Sequence, residues 1–189
     1  MRRHNPTLAL EPSLRMLSIA QRIGDLFGEA RALHEQGCLK MMVDELEPAR
    51  SLMERSLALS TRIGHHTGQA HTIAMLARVA RQQGDIPTAR QRLEQALEVV
   101  VRAGLRHLEQ SLRLEQAIIA YENGDPVAGE ASARQAAALA EALGQPRRKG
   151  LSLLHVGAAL EKQERGDEAE VAYRQAVAIA RSLSLEPDT

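Results

Sequence analysis

The sequence predicts an all-α fold in which pairs of helices stack as a repeat array. Two observations carry this prediction. The composition is dominated by good helix formers, chiefly Ala, Leu, Arg, Glu and Gln, and small residues recur every 40 positions along the 189-residue chain. Residues with branched β-carbons, which favour strands, are sparse. We therefore expect a helical repeat protein rather than a domain built on a sheet.

Glycine marks the repeat most clearly, at Gly24, Gly64, Gly104 and Gly144. Four further columns at the same period contain almost only small side chains. Two antiparallel helices whose axes lie about 8–10 Å apart tolerate no bulk where they cross, so these columns predict helix crossings. The columns are Gly37, Ala77, Ala117, Gly157; Ala49, Ala89, Gly129, Ala169; Ser56, Ala96, Ala136, Ala176; and Ala20, Ser60, Val100, Ala140, Ala180.

Each repeat divides into a helix A of about 17 residues, a tight turn and a helix B of about 15 residues. The turns are predicted around Asp44, Gly84, Gly124 and Gly166, where glycine ends one helix and aspartate caps the next. We expect one solenoid over 1–189. Its parts are a half repeat with helix B only at 7–23, whole repeats at 24–63, 64–103, 104–143 and 144–183, and a tail at 184–189.

The pattern of large and small residues resembles the tetratricopeptide repeat. Helix A of that repeat has two large residues followed by a small one, as in Ile73, Leu76, Ala77 and in Leu153, Val156, Gly157; helix B has small, large and small residues, as in Ala89, Leu93, Ala96 and in Ala169, Tyr173, Ala176. The resemblance covers about residues 7–183 and implies a right-handed α-α superhelical solenoid of antiparallel helix pairs.

Three departures from that pattern are visible. The unit of 40 residues is longer than the usual 34, and the proline that usually closes helix B is absent. Gln36, Arg113 and Gln116 occupy positions where apolar residues are expected. The 40-residue form is similar to the repeats of large bacterial regulators, both maltose-activator-like and peptide-sensing.

The resemblance also implies a binding groove, because helix A lines the concave face in that family. The same positions are equally compatible with packing in the core. Methionine and histidine are frequent among them, and flexible methionine side chains suit adaptable apolar surfaces. The implied groove residues are Arg31, His34, Cys38, Met41, His71, Met75, Arg78, Leu114, Ile118, Tyr121, Leu154 and His155.

No motif predicts catalysis, a metal or a cofactor. His34 and Cys38 share one helix face, but two ligands do not close a metal site and no CxxC or HExxH spacing occurs. Nucleophile elbows, phosphate loops and dinucleotide fingerprints are also missing from the sequence. Glu94, Glu130 and the boundary residue His65 are expected to be solvated. We therefore expect a protein that is not an enzyme.

Charge and composition exclude further classes. The 24 Lys and Arg residues balance 24 Asp and Glu residues, and aromatic residues are rare, so we expect no nucleic-acid partner. No apolar run approaches the roughly 20 residues of a membrane span, and no secretory signal is visible, so we expect a cytoplasmic protein. The basic run 147–149 has two interpretations, a site for an acidic peptide or a solvated surface.

The sequence thus predicts a protein-protein interaction scaffold that binds a partner protein or peptide in the groove of its A helices. The alternative is the ligand- or peptide-sensing part of a larger bacterial transcriptional regulator. Self-association through the terminal helices is a further expectation, because 7–23 lacks a helix A before it and 167–183 is no more polar than the internal helix 86–103. A preceding segment of a longer chain could instead cover 7–23.

Overall fold

A computed structural model describes residues 6–185, with side chains from 10 to 184. These residues form nine α-helices and no strand, so the predicted all-α fold is confirmed. The predicted tail lies outside the described residues, except that Ser184 and Leu185 continue the last helix. The helices are α1 (Pro6–Ile23), α2 (Leu26–Met42), α3 (Leu46–Arg62), α4 (His66–Gln82), α5 (Ile86–Arg102), α6 (Arg106–Glu122), α7 (Pro126–Ala142), α8 (Pro146–Lys162) and α9 (Gly166–Leu185).

The chain divides into two compact units between Ala103 and Gly104, which is a predicted repeat boundary. The first unit contains α1 to α5 and the second contains α6 to α9. Within each unit, helices that are consecutive in the chain pack side by side as antiparallel pairs of the solenoid type. A single solenoid over 1–189 stays a prediction.

The helices alternate between two kinds, and we call α2, α4, α6 and α8 the A helices and the others the B helices. Each helix from α2 to α8 has 17 residues, and each begins 20 residues after the previous one. The predicted length of about 15 residues for helix B is therefore wrong. Equal lengths follow from the packing, because both helices of a pair bury their faces over the same span.

A left-handed residue ends every helix that precedes a turn. Glycine holds that position in six of the eight turns, with φ between 63° and 78°. Asp44 and Glu164 hold it in the other two, with φ of 62° and 61°. The predicted turn at Gly166 is therefore displaced, because Glu164 ends α8 and Gly166 is the first residue of α9. The predicted aspartate caps are confirmed at Asp85 and Asp125, whose carboxylates accept from backbone N–H groups of the following helices, and Asp25 caps α2 in the same way. The prediction is wrong in the first and last of these turns, where Glu45 precedes α3 without a side-chain cap and Asp167 lies inside α9.

Paired helices approach each other closely at the column of Gly37, Ala77, Ala117 and Gly157. A Cβ on Gly37 would lie 2.8 Å from the Cγ atom of Met53, and a Cβ on Gly157 would lie 2.5 Å from a ring carbon of Tyr173. Met53 and Tyr173 belong to the facing B helices, at the same register. Glycine therefore stands where the partner side chain is largest, and the predicted crossing is confirmed at both positions.

The polar residues that depart from the family pattern have partners. Gln36 is buried, and its side-chain amide donates to the carbonyl of Ser13 at 3.2 Å. The Gln116 carbonyl oxygen accepts from the hydroxyl of Ser132 at 3.3 Å and from the Arg113 guanidinium at 3.4 Å. Gln36 and Gln116 thus replace apolar packing with hydrogen bonds between helices, whereas Arg113 bonds within α6.

The expectation that Glu130 is solvated is wrong, because its side chain is buried. Its carboxylate accepts from Arg134 at 2.7 Å, from Gln163 at 2.9 Å and from Arg165 at 2.7 Å. Burial alone would raise the pKa of this carboxyl, but the hydrogen bonds from Arg134 and Gln163 and the two cations lower it overall. Glu130 thus joins α7 to the turn between α8 and α9. Glu94 is exposed, as predicted.

Replacing Glu164 by glycine should raise the free energy of unfolding by about 1 kcal/mol, because glycine adopts a positive φ without steric cost. The matched control is Gly124→Ala in the equivalent turn. A Cβ there would meet no atom within 4 Å, so its expected loss of stability reports the backbone alone. Urea denaturation of both variants checks this. A Glu164→Gly variant that is less stable than wild type would contradict the turn assignment.

Ala136 should not tolerate a larger side chain, because it is fully buried in a crossing column. Ala136→Leu should lower the free energy of unfolding by about 1–3 kcal/mol through overpacking. Ala138→Leu is the control in the same helix, at an exposed position, and should change stability by less than about 0.5 kcal/mol. Equal melting temperatures for the two variants would show that the predicted register is wrong.

Candidate functional site

The A helices pack directly on each other within each unit, as α2 does on α4 and α6 on α8. Each A helix also packs on the B helices that precede and follow it within its unit. The A helices therefore form a layer of their own, and the surface of this layer presents residues from successive repeats side by side.

A cleft of about 290 Å³ lies on this layer in the first unit, and we call it the histidine cleft. Three predicted groove residues, Arg31, His34 and His71, line it together. The remaining lining residues come from the start of α2, from α3, and from the turn and first residues that lead into α4. They are Phe27, Ala30, Ser56, Ser60, His65, Thr67 and Gly68.

Hydrogen bonds fix the orientation of His34 at the base of this cleft. Its Nδ1 atom lies 3.1 Å from the hydroxyl of Thr72 on α4, and its Nε2 atom lies 3.6 Å from the Cys38 sulfur. The Ser56 hydroxyl donates to the carbonyl of Ala30 at 2.7 Å and lies 3.5 Å from the Thr72 hydroxyl. These contacts join α2, α3 and α4, so the imidazole is held in place before any ligand binds.

The cleft has little fixed charge. Burial lowers the pKa of His34, and nearby His71 adds to this effect while Glu35 opposes it. Burial also lowers the pKa of His71, with His65 adding to the effect. Both imidazoles are therefore neutral near pH 7, and each can donate and accept a hydrogen bond. The Arg31 guanidinium lies 3.1 Å from the carboxylate of Glu35, which offsets its charge.

Three predicted groove residues are more buried than a position on the groove surface requires. They are Cys38, Met41 and Met75. All three are half-buried and pack against the core cluster that includes Met53 and Leu76. Burial raises the pKa of the Cys38 thiol, although Arg78 opposes the effect, so the sulfur is a protonated thiol at neutral pH. Arg78 is exposed on α4. The methionines thus serve both the core and the edge of the A-helix surface.

The seven lining residues that the predicted groove did not include contain two with aromatic rings, Phe27 and His65. Their ring centroids lie 4.9 Å apart in an edge-to-face arrangement. His65 was expected to be solvated, but it is half-buried against Phe27. Position 65 precedes α4, so the transfer of family positions on helix A could not include it. A signal was present in the single Phe of the chain, which stands near a helix start.

The second unit presents apolar side chains on α6 and α8. The predicted residues Leu114 and Ile118 are half-buried on α6, and Tyr121 is exposed at its end. Leu154 is exposed on α8 and His155 is half-buried beside it. Burial lowers the pKa of His155, so this imidazole is also neutral near pH 7. Leu151, one turn before Leu154, adds a further exposed leucine.

Polar groups border this surface at the start of α8. The Arg148 guanidinium donates to the side-chain oxygen of Gln110 at 2.9 Å and to the Ser111 hydroxyl at 2.7 Å. Lys149 lies 2.6 Å from the carboxylate of Glu141. Two residues of the basic run are thus held by the chain's own groups, which favours the interpretation as an ordinary surface over a site for an acidic peptide.

The described residues contain no group of three His, Cys, Asp or Glu side chains arranged to hold a metal ion. Among the same residues, no helix combines the length and the apolar character that a membrane span requires.

The fold and the repeat define a helical-repeat protein, and comparison with known families identifies the class. Family models described as tetratricopeptide repeat match residues 28–100 and 151–184, together more than half of the chain. The chain belongs to the tetratricopeptide-repeat proteins, as the sequence predicted. Tetratricopeptide repeats are generally non-catalytic modules for protein interaction. No curated protein sequence matches the chain.

Solved structures with the same fold share little sequence. BtubC (BKLC) from P. vanneervenii is 18% identical, with a TM-score of 0.88 over 98% of this chain and 77% of its own. A putative kinesin light chain with nearly identical TPR-like repeats, from Podosopora anserina, is 16% identical, with a TM-score of 0.75 over 96% of this chain and 90% of its own.

A signal-transduction ATPase with a tetratricopeptide repeat sensor, from Pyrococcus horikoshii, is 17% identical, with a TM-score of 0.76. The match covers 93% of this chain and 28% of that protein. Identities this low show the fold alone.

The pKa values of His34 and His71 should be lower in the folded protein than in the urea-unfolded chain, because burial disfavours the charged imidazole. An NMR pH titration of the folded protein, with His34→Gln and His71→Gln variants to assign the signals, measures both. A pKa of His34 in the folded protein at or above its value in the unfolded chain would contradict a cleft lined by neutral imidazoles.

Proposed function

We propose that this protein is an interaction scaffold that binds a segment of a partner protein on the surface of its A helices. The observation that carries the proposal is the histidine cleft, where α2 and α4 bring Arg31, His34 and His71 together around a concave space. Concave sites with a few convergent polar groups are the usual binding sites of proteins. On this proposal the protein is not an enzyme and binds no nucleic acid.

The cleft suits a peptide more than an ion. Neutral imidazoles and hydroxyls can pair with backbone N–H and C=O groups, while Phe27 offers an apolar wall. The half-buried methionines at positions 41 and 75 lie nearby on the same two helices and can adapt to different side chains. Specificity then comes from the shape of the cleft and from hydrogen bonds rather than from net charge.

The apolar surface of the second unit would bind differently. Leu151 and Leu154 are exposed beside the half-buried pair Leu114 and Ile118. Large apolar side chains in such an arrangement mark interaction surfaces. An amphipathic segment of the partner would bury its apolar positions here, with Arg148 and Ser111 at the polar edge. The two units would thus recognise different features of a partner.

A sensing role within a larger regulator is the second candidate, and the size of the histidine cleft favours it. A volume of about 290 Å³ is near the lower end of small-molecule sites. A repeat with the same fold is described as a sensor in the ATPase from Pyrococcus horikoshii. In this case the ligand would be a short peptide or small molecule, and a His34→Phe variant would lose its binding.

Photo-crosslinking tests the main proposal. A benzophenone amino acid would replace His71 on α4 or Leu154 on α8, and the crosslinked protein would be identified by mass spectrometry. Leu154 is 44% exposed, and Val127 on the B helix α7, 64% exposed, is its matched control. Exposed Gln91 on α5 is the control for His71. The proposal expects one partner to crosslink from positions 71 and 154 and not from the controls.

Two results would count against the A-helix surface. Equal crosslinking of that partner from positions 91 and 127 would place binding elsewhere. The sensing role would be favoured if a short peptide stabilises the wild-type chain but not the His34→Phe variant, and if no protein crosslinks to the chain.

A further inference from the structure

The histidine cleft contains a cluster of nitrogen bases without a carboxylate. His34, His65 and His71 line it together with Arg31, so three of the seven histidines of the chain share one small cavity. They come from different elements, because α2 supplies His34, the residue before α4 is His65, and α4 itself supplies His71. Among the described residues that line the cleft, none is Asp or Glu. Acid therefore changes the charge of this cavity more than that of an ordinary surface.

The three imidazoles act on one another electrostatically. After burial, the charge of His71 is the next cause that lowers the pKa of His34, and His65 acts on His71 in the same way. Like charges on neighbouring imidazoles repel, so the empty cleft resists protonation. Neighbours of this kind titrate together, and a ligand that offsets their charge makes protonation of the whole group easier.

The other charged groups around the cleft do not remove this repulsion. Glu35 raises the pKa of His34, but its carboxylate lies 3.1 Å from the Arg31 guanidinium. Arg78 on α4 acts on the Cys38 thiol beside His34 and adds a further positive charge. The helix α3 lines the cleft with serines alone, and no described residue of α1 or α5 lines it. An anion from outside the chain is thus the missing counter-charge of the protonated cleft.

We propose that the histidine cleft binds a phosphate ester in mild acid and takes up protons on its imidazoles as it does so. His71 and Arg31 are exposed and would donate charge-assisted hydrogen bonds to the phosphate oxygens. His34 would contribute positive charge instead, because its ring nitrogens already face Thr72 and Cys38.

The size of the cleft favours an ester over free phosphate. A volume of about 290 Å³ is near that of a small-molecule site, and Phe27 supplies an apolar wall beside His65. Free phosphate would leave this wall without a contact, whereas the organic part of an ester would cover it. This ligand class goes beyond the proposed function, which concerns the uncharged cleft near neutral pH and a partner protein.

Sulfate tests the coupling between anion binding and protonation, because it keeps its double charge in mild acid whereas phosphate does not. Histidine ring signals of the full chain would be followed by NMR over a pH titration, in sodium sulfate and in sodium chloride at equal ionic strength. We expect the pKa of His34 and of His71 to be higher in sulfate. The pKa of His155, which burial also lowers, should be the same in both salts and is the internal control. Equal pKa values of His34 and His71 in the two salts would overturn the proposal.

Phenyl phosphate tests the ligand class. Its binding to the full chain would be measured by calorimetry at about pH 5.5 and at about pH 7.5, on either side of the ordinary histidine pKa. We expect the affinity to be about tenfold or more higher in acid, because protons are taken up on binding. Inorganic phosphate should bind more weakly than phenyl phosphate. Equal affinity at the two pH values would overturn the proposal, and equal affinity of the two anions would overturn the assignment to an ester.

Two histidine variants locate the binding site. His71→Gln removes an exposed imidazole of the cleft and should weaken the binding of phenyl phosphate in acid about tenfold. His66→Gln removes an exposed imidazole at the start of α4 that lies outside the cleft lining, and should leave binding unchanged. Circular dichroism in acid checks that both variants are folded. Equal loss in the two variants would place the anion elsewhere and overturn the proposal.

This proposal and the proposed function can fail separately. The crosslinks from positions 71 and 154 are measured near neutral pH without any phosphate ester, and the anion titrations need no partner protein.

Discussion

The close approach of paired helices is the constraint on which the structure depends. At Gly37 and Gly157 the facing helix presents Met53 and Tyr173 so closely that one added carbon would lie within 3 Å of their side chains. Where the A helix has alanine, at Ala117, the residue at the same register of the B helix is Ala133, and both are buried in one cluster. A glycine on the A helix thus faces a large side chain at two crossings, and an alanine faces an alanine at a third.

This constraint explains why the fold was predictable from one sequence. Close crossings demand small residues at fixed positions, and the 20-residue spacing of the helices repeats those positions through the chain. The resulting columns are visible without any structure. The last turn was misplaced because Glu164 takes the left-handed position that glycine holds in most other turns, so the glycine in the sequence pointed to position 166 instead. Glu130 was misjudged because two of its partners lie 33 and 35 positions away, in the turn between α8 and α9.

The candidate site was predictable to a different degree. The family pattern located Arg31, His34 and His71 on the A helices, and the structure brings these three together. Phe27 and His65 complete the cleft from a helix start and a turn, and only the packing of α2 on α3 and α4 makes them neighbours. The depth of Met41 and Met75 was equally beyond sequence reasoning, because a groove position and a core position on one helix face differ only by the neighbours that pack on them.

The chemistry of the surface in each unit depends on the side chains that pack around it. In the first unit, burial lowers the pKa of His34 and of His71, and hydroxyls from two helices hold the cleft in shape. In the second unit, exposed leucines on α8 stand next to half-buried apolar residues on α6. On the proposed function, both surfaces would recognise a partner by shape and hydrogen bonding rather than by net charge.

Hydrogen–deuterium exchange of the chain with and without its crosslinked partner tests the central claim most directly. If the A helices form the binding surface, the partner will slow exchange in α2, α4, α6 and α8, whereas α5 and α7 will exchange as in the unbound chain. Slower exchange confined to α3, α5 and α7 would contradict a binding surface on the A helices.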